Sequence, residues 1–441
     1  MTPDQEIFKK NVIAEADEPS FASAIDRARS SAVRPGQANF LQKPAAAYVH
    51  IPFCVAKCGY CDFVSYAGRA ACVPAYVRAV TAEIHRTARN LGVDLYGEPV
   101  CRGPLKTVYF GGGTPGDLPA SALLEILAAL KESFGLEEGA EVTLEVNPGT
   151  ASPGLLPAVR AGGFNRLSIG LQTASDQLLK KLSRRHTVAD FDHLLTTART
   201  AGFTNISADM MLALPTEELA DSLSTARFLL ERGLPHISFY SLTVEPGTPF
   251  DRLYPAGLGL PDDVVERQMY KSALALFKQA GYRHYEVSNV ALPGFESQHN
   301  LTYWRGLPYY GFGCGAAAFI GGRRYLQTAD LDAYMAGAGA GTAKLEEEIG
   351  EQEAVEEFFF LGFRTADGVS AADFRRQFGK SWPAAADRAL ADLLRRGLIR
   401  QRGGCYQQDG GVVDQRHYCL TDKGLDWANQ VYLEFLDLAS D

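Results

Sequence analysis

The sequence predicts an α/β protein, with a parallel sheet covered by helices and a small helical domain after it. From Tyr48 onward, short runs rich in branched and aromatic residues alternate with longer amphipathic stretches, a pattern typical of repeated βα units. After about residue 345 this alternation stops, and several helical patterns follow one another closely.

The strand candidates are short apolar or alternating runs, and most of them end in glycine, proline or polar residues. They cover 47–53, 106–112, 141–146, 166–172, 205–212, 236–244 and 282–288. Helical patterns fill the gaps, and the loops GGGTP, NPGT, ALPTEE and EPGTP follow strands. Such units build either a closed or partial barrel or an open doubly wound sheet. In a barrel, the functional residues lie at the carboxyl ends of the strands.

The change of pattern divides the chain into three predicted parts. Residues 1–46 form an N-terminal extension, 47–345 the βα domain and 346–441 a second domain. The second domain contains a charged helix in EEEIGEQEAVEEFFFLGFRT, further helices in SAADFRRQFG and AAADRALADLLRRGLI, and a strand followed by a helix near the end. This order is typical of a winged-helix domain. Its acidic first helix opposes phosphate binding, so we expect packing and not nucleic-acid recognition.

Composition places the chain among ordinary globular proteins. Its 441 residues are 46% apolar and 22% charged, enough for two domains with a large core. The net charge of -9 argues against broad binding to nucleic acid or anionic membranes. No apolar run is long enough to span a membrane, and the first 46 residues resemble neither a secretory signal nor a transit peptide. Of the eight cysteines, three are clustered and five are scattered, which is not the pattern of a disulfide framework. This distribution favours a reducing, cytoplasmic location.

Three cysteines lie close together in HIPFCVAKCGYCDF, directly after the first predicted strand: Cys54, Cys58 and Cys61. Buried core thiols or a zinc site would be alternatives, but structural zinc uses four ligands, usually two CxxC pairs, and no second pair is present. Three thiolates can hold three corners of a 4Fe-4S cluster and leave the fourth iron free. The spacing therefore predicts a cluster with one open position.

Eight ordered motifs extend this interpretation: HIPFC, GGGTP, EVNPG, NRLSIGLQ, LSRRHT, ISADMMLALP, SFYSLTVEPGTPF and HNLTYW. Together with CxxxCxxC they resemble the radical S-adenosylmethionine (SAM) superfamily, within it the oxygen-independent coproporphyrinogen III oxidase-like group. The resemblance covers about residues 45–440 and implies a partial, TIM-like (β/α)6 barrel. It also implies that the open iron binds SAM, which is cleaved to a 5'-deoxyadenosyl radical with an electron from a donor such as flavodoxin or ferredoxin.

The resemblance also implies which residues surround the cluster and SAM. They are Tyr48, Tyr60, Gly112, Gly113, Thr114, Glu145, Gln172, Arg184 and Asp209. Their chemistry is suitable, because glycines admit backbone groups close to a ligand, an arginine fork matches a carboxylate, and acids or amides can bind ribose hydroxyls. From the residues alone, Glu145 could equally be a solvated strand end, Arg184 a surface charge, and the two tyrosines barrel packing.

Two features resemble the heme chaperone HemW subgroup of this family. Asp62 and Phe63 follow the third cysteine, and HNLTYW contains His299, Tyr303 and Trp304. The resemblance implies that the chain binds heme and passes it to an acceptor protein. A neutral histidine or a tyrosine can be an axial ligand of heme iron. The alternative for His299 is an ordinary hydrogen-bonded loop histidine.

The chain departs from this subgroup at a few positions. Ala317 and Ala318 replace a polar pair, and Ala213 stands where the subgroup has glycine before Leu-Pro. These departures leave two other hypotheses open. One is a radical SAM enzyme that oxidises or decarboxylates a porphyrinogen, or a methyltransferase or cyclopropanase that uses two SAM molecules on a small substrate. The other is a binding protein whose cluster is only structural.

Overall fold

A computed structural model of the chain describes residues 44–89, 103–337, 342–408, 411–436 and 438. The predicted N-terminal extension, 1–46, lies outside these residues apart from its last three positions. No helix in the described ranges is long and apolar enough to cross a membrane.

Strands and helices alternate up to residue 348, as the sequence predicts. In chain order they are β1 (Ala46–Ile51), β2 (Phe53–Cys54), β3 (Tyr66–Ala67), α1 (Val73–Arg89), β4 (Leu105–Gly112), α2 (Ala120–Phe134), β5 (Leu136–Val146), α3 (Leu155–Gly162), β6 (Arg166–Gln172), α4 (Asp176–Lys181), α5 (Val188–Thr200), β7 (Asn205–Leu212), α6 (Leu219–Glu231), β8 (His236–Ser241), α7 (Pro249–Leu253), α8 (Asp263–Gln279), β9 (Arg283–Glu286), β10 (Asn289–Ala291), α9 (Gln298–Trp304), β11 (Tyr310–Phe312), β12 (Ala317–Ile320), β13 (Arg323–Gln327), α10 (Leu331–Gly337) and β14 (Ala343–Glu348).

The main sheet has the strand order β11-β1-β4-β5-β6-β7-β8-β10-β9. Its six central strands are parallel and follow the chain order without a reversal. A doubly wound sheet would reverse direction at a switch point, whereas successive crossovers in one direction curve the sheet into a barrel. The predicted partial (β/α)6 barrel is therefore confirmed.

The edges of the sheet differ from the sequence prediction. The last strand candidate, 282–288, is a strand at residues 283–286, but this strand, β9, pairs antiparallel with β10 and does not extend the parallel sheet. The two residues between β9 and β10 are too few for a parallel crossover, so the chain turns back as a hairpin. β10 pairs antiparallel with β8, and β11 adds a parallel strand beside β1.

The barrel strands alternate between two chemically different faces. In β5, Val142, Leu144 and Val146 are buried beneath the helices, while the intervening Thr143 and Glu145 face inward. The same alternation continues in β4, β6, β7 and β8, so polar side chains line the interior of the barrel, called the lumen below. Most TIM barrels fill this space with branched apolar residues.

The C-terminal region has its own elements and its own apolar cluster. They are α11 (Glu351–Gly362), β15 (Val369–Ser370), α12 (Ala371–Phe378), α13 (Ala384–Arg395), β16 (Ile399–Arg402), β17 (Cys405–Gln408), β18 (Gly411–Asp414), β19 (His417–Leu420), α14 (Asp422–Asp426) and α15 (Ala428–Leu433). β15, β19 and β16 form one small sheet and β17–β18 a hairpin. The predicted division at 345/346 falls inside β14, which pairs with β13, and it stays a prediction.

A buried carboxyl group ties α1 to the segment after β11. Glu83 is 1% exposed and accepts hydrogen bonds from the Tyr334 hydroxyl (2.5 Å), Gly313 N (3.0 Å) and Gln327 Nε2 (2.9 Å). Burial raises the pKa of Glu83, and these three donors work against the shift. The arrangement satisfies a group that would otherwise be costly to bury.

We predict that Glu83→Ala lowers the free energy of unfolding by about 2 to 4 kcal/mol, because it leaves three buried donors without an acceptor. Urea denaturation of the cluster-free protein measures this change. Glu125→Ala, at an exposed position of α2, is the matched control and should change stability by about 0.5 kcal/mol or less. Equal effects of the two substitutions would show that the Glu83 network is not stabilising.

Candidate functional site

The three predicted metal ligands lie on the loop that leaves β1 at the carboxyl end of the barrel. Cys54, Cys58 and Cys61 are free thiols and each is half-buried. Burial raises the pKa of Cys54 and of Cys61, and the charge of Cys58 contributes to both shifts. Among the described residues, no three His, Cys, Asp or Glu side chains lie close enough to hold a single metal ion. Three free thiols on one loop are the donor set of an iron–sulfur cluster.

The GGGTP loop packs against the chain that enters the cysteine loop. Gly113 N donates to Ile51 O (2.9 Å) and Thr114 N donates to Phe53 O (2.7 Å). A Cβ atom at Gly113 would lie 2.6 Å from Phe53 O, too close for any side chain. These glycines thus allow a close backbone contact that positions the cysteine loop.

A chain of hydrogen bonds connects this loop with the predicted SAM residues. Thr114 Oγ1 lies 3.5 Å from Cys54 Sγ and accepts from Asn147 Nδ2 (2.8 Å). Asn147 Oδ1 accepts from Arg184 Nη1 (2.8 Å), and Arg184 Nη2 donates to the Tyr60 hydroxyl (2.8 Å). Tyr60 lies between the second and third cysteines in the sequence, so the network begins and ends on the cysteine loop.

Arg184 has a buried N–H donor without a hydrogen-bond partner. Its Nε is buried and has no hydrogen-bond partner, while both terminal nitrogens are bound to protein. Arg184 is therefore not a surface charge, and an anionic group beside the cysteine loop would satisfy the remaining donor. This orphaned donor fits the carboxylate of SAM.

Two of the predicted SAM residues are carboxyl groups on the inward faces of β5 and β7. Glu145 accepts from the Tyr109 hydroxyl (2.7 Å) and from Gly112 N (3.2 Å). Burial raises the pKa of Glu145 to about 7 and that of Asp209 to about 6. Asp209 accepts from Ser168 Oγ at 3.4 Å. Glu145 is thus a lumen group and not a solvated strand end.

Gln172 and Tyr48 complete the predicted set. Gln172 ends β6 with φ 74, a left-handed conformation that is unfavourable for a residue with a side chain, and it accepts from the Tyr240 hydroxyl (3.4 Å). Such backbone strain concentrates at functional positions. The Tyr48 hydroxyl is hydrogen-bonded to His50 Nδ1 (3.0 Å), and its ring stacks on Tyr109 at 6.2 Å.

The predicted heme residues lie on α9, at the opposite end of the barrel strands. His299 is not in a loop but in the first turn of this helix, and it is 1% exposed. Its ring nitrogens are hydrogen-bonded to Thr107 Oγ1 (2.9 Å) and the Tyr303 hydroxyl (2.8 Å). Burial lowers the pKa of His299 to about 3, so the imidazole is neutral.

The three heme candidates do not share one open pocket. His299 and the half-buried Tyr303 form the floor of the lumen, with the His299 ring stacked on Tyr109 at 5.1 Å. Trp304 instead lines a cavity of about 410 Å³ between α9, α11 and α12. The structure therefore separates Trp304 from the other two.

Several residues of the site were not among the sequence candidates. Asn147 links Thr114 to Arg184, and its motif EVNPG was visible in the sequence. His50, Tyr109 and Arg166 face the lumen, and the alternating pattern of the strands could have identified them.

The departures from the family pattern have visible consequences. Ala213 has φ 57, so glycine would fit this left-handed position without strain. Ala317 is exposed and Ala318 buried on β12. Neither alanine offers a polar group to the site.

Comparisons with known proteins agree with this arrangement. The Radical SAM superfamily model matches residues 48–229, and the HemN C-terminal domain model matches residues 349–410. The heme chaperone HemW of Bacillus subtilis is 37% identical over 398 residues, which cover 89% of this chain and 99% of that protein. The heme chaperone HemW of Lactococcus lactis is 34% identical over 397 residues, covering 90% and 98%. The chain belongs to the HemW family of radical SAM proteins.

A solved structure supports the fold independently. The coproporphyrinogen III oxidase HemN of Escherichia coli superposes with a TM-score of 0.72 over 91% of this chain and 92% of that chain, at 21% identity. Membership of the radical SAM superfamily implies a 4Fe-4S cluster and SAM as cofactors.

We predict that Asn147→Ala destabilises the cluster-free protein by about 1 to 3 kcal/mol, since it removes the half-buried amide that joins Thr114 to Arg184. Asn429→Ala, at an exposed position of α15, is the control and should be close to neutral. Urea unfolding midpoints of both variants measure the difference. A neutral Asn147→Ala would mean that the network does not contribute to stability.

Proposed function

We propose that this chain is a heme-binding chaperone that holds a 4Fe-4S cluster on Cys54, Cys58 and Cys61 and SAM beside it. The observation that carries the proposal is the family membership, because relatives named heme chaperone match 89% and 90% of the chain. We place it in the cytoplasm, with a heme-acceptor protein and an electron donor such as flavodoxin or ferredoxin as partners. The resemblance of the motifs supports these partners.

The proposed SAM contacts follow from the charges in the site. Arg184 Nε would donate to the SAM carboxylate, and the Glu145 carboxylate would accept from the SAM ammonium group. Gln172 and Asp209 would hold the ribose hydroxyls. Bound at the open iron, SAM supplies a carbon–sulfur bond that one electron can cleave. The residues of the chain orient SAM and exclude water around it.

We predict that the affinity for SAM falls as the pH falls below 7, by up to about tenfold per pH unit. The reason is that burial raises the pKa of Glu145 to about 7, so the carboxylate that attracts the ammonium group is progressively protonated below this pH. Calorimetric titration of the reconstituted protein with SAM from about pH 6 to pH 8 measures the effect.

Two variants sharpen this test. Glu145→Gln should bind SAM more weakly and lose most of the pH dependence, whereas Gln172→Ala should bind more weakly and retain it. If Glu145→Gln keeps the wild-type pH dependence, Glu145 is not the group that binds the ammonium.

For heme, the structure favours Tyr303 over His299 as the iron ligand. Tyr303 is half-buried on the lumen floor, while His299 lies behind it with both ring nitrogens hydrogen-bonded. Burial raises the pKa of Tyr303, so the phenol is neutral without heme. Ferric iron is the positive charge that would stabilise a phenolate, and a neutral His299 with its hydrogen on Nε2 would donate to the phenolate oxygen.

We predict that Tyr303→Phe lowers the affinity for ferric heme by about tenfold or more and alters the Soret band, because it removes only the proposed iron ligand. Tyr309→Phe is the matched control, since its ring lies 4.7 Å from that of Tyr303. His299→Ala should weaken heme binding less than Tyr303→Phe does. Unchanged affinity in both Tyr303→Phe and His299→Ala would remove the structural basis for placing heme on α9.

The same SAM site supports a second candidate, an enzyme acting on a porphyrinogen or another small molecule. The observation that favours it is the orphaned Arg184 donor beside free thiols, a site that a merely structural cluster would not need. Anaerobic incubation with dithionite and SAM distinguishes the candidates. 5'-Deoxyadenosine together with a changed substrate mass supports the enzyme, whereas a stoichiometric heme Soret band without turnover supports the chaperone.

A further inference from the structure

Arg166 is a buried positive charge inside the barrel that has no direct partner. It begins β6 on the inward face, and its side chain is 2% exposed. Its Nε is fully buried without a hydrogen bond, and within the described ranges its guanidinium forms no ion pair either. Burying a guanidinium without hydrogen bonds costs several kcal/mol, so a fold keeps one only where something else satisfies it.

The two carboxyl groups whose pKa is lowered by the charge of Arg166 already accept hydrogen bonds from other residues. Glu145 accepts from the Tyr109 hydroxyl and from Gly112 N, and Asp209 accepts from Ser168 Oγ. The positive charge of Arg166 lowers the pKa of both carboxyls, but only as one of the smaller causes after burial. Arg166 is therefore near these carboxyls without being paired to them.

The histidines on the other side of Arg166 are neutral. His236 is hydrogen-bonded to Ser207 Oγ (2.6 Å) and to the Tyr285 hydroxyl (2.8 Å). Burial, followed by the charge of Arg166, lowers the pKa of both His236 and His299. The carboxylate on this side, Glu141, accepts from Gln298 N (3.1 Å) and His299 N (3.0 Å) and is therefore also committed elsewhere.

Side chains that face the lumen around Arg166 are not fully covered by protein. Several inward-facing side chains are only half-buried, although they project from strands or from α9 into the barrel: Tyr48, Tyr109, Ser238, Tyr240 and Tyr303. A filled barrel core would cover these positions completely. Aromatic rings with polar tips are the lining expected for a flat ligand with acidic substituents.

We propose that Arg166 binds a carboxylate of the molecule that occupies the lumen beside SAM. The inference rests on the proposed function in one respect, namely that the molecule is heme, whose propionates are the carboxylates. Arginine suits this role because its planar fork donates two parallel hydrogen bonds to a carboxylate. Arg166 would then orient heme by binding its propionate edge, while Tyr303 contacts the heme iron.

Hemin and hemin dimethyl ester, titrated in the same detergent, test the proposal, because the ester lacks only the two negative charges. The wild-type protein should bind hemin more tightly than the ester. Arg166→Gln should weaken hemin binding by about tenfold to a hundredfold, and leave the affinity for the ester unchanged. Arg166→Lys, which keeps the charge but loses the fork, should lie between wild type and Arg166→Gln.

Arg227→Gln is the matched control, since it removes the same charge from an exposed position of α6. Equal losses of hemin and ester affinity in Arg166→Gln would overturn the proposal and make Arg166 a structural residue. Hemin binding by the wild type that Arg166→Gln leaves unchanged would overturn it while the proposed function stands. A wild type that binds no hemin would overturn the proposed function and, with it, this assignment.

Discussion

The inward-facing polar side of the barrel strands is the constraint on which the rest of the site depends. In the central parts of β4 to β8 the apolar residues of one face, such as Val108, Leu144 and Ile169, pack beneath the helices, so the intervening residues must face one another inside the curved sheet. In most TIM barrels, branched apolar side chains fill this space. Here Tyr109, Glu145, Arg166 and Asp209 occupy it instead, which leaves room and hydrogen-bonding groups for ligands.

Burial of these groups without full compensation gives the lumen its affinity. Burial raises the pKa of Glu145 to about 7 and that of Asp209 to about 6, which shows that neither carboxylate is well stabilised by the protein alone. Arg184 and Arg166 each retain a buried Nε without a partner. In the proposed complex the ammonium, carboxylate and ribose groups of SAM would satisfy Glu145, Arg184 and Asp209, and a carboxylate of heme would satisfy Arg166.

The sequence predicts the centre of this fold better than its edges. The bounds of β6 and β7 agree with the expected 166–172 and 205–212, because strong alternation and flanking turns define these strands locally. β9 to β11 are short, and β10 and β11 take their direction from partners far away in the chain, β8 and β1, which no local pattern encodes. Likewise, Cys54 and its neighbours follow from spacing alone, whereas the role of Asn147 emerges only when Thr114 and Arg184 are brought together.

The position of α9 decides how the two ends of the barrel can work together. The Glu141 carboxylate on β5 accepts from the backbone nitrogens of Gln298 (3.1 Å) and His299 (3.0 Å), which caps the helix N-terminus and anchors it to the sheet. The helix thereby closes the amino end of the lumen, with Tyr303 facing inward. The cysteine loop lies at the carboxyl end, so the two proposed binding centres share one lumen from opposite sides.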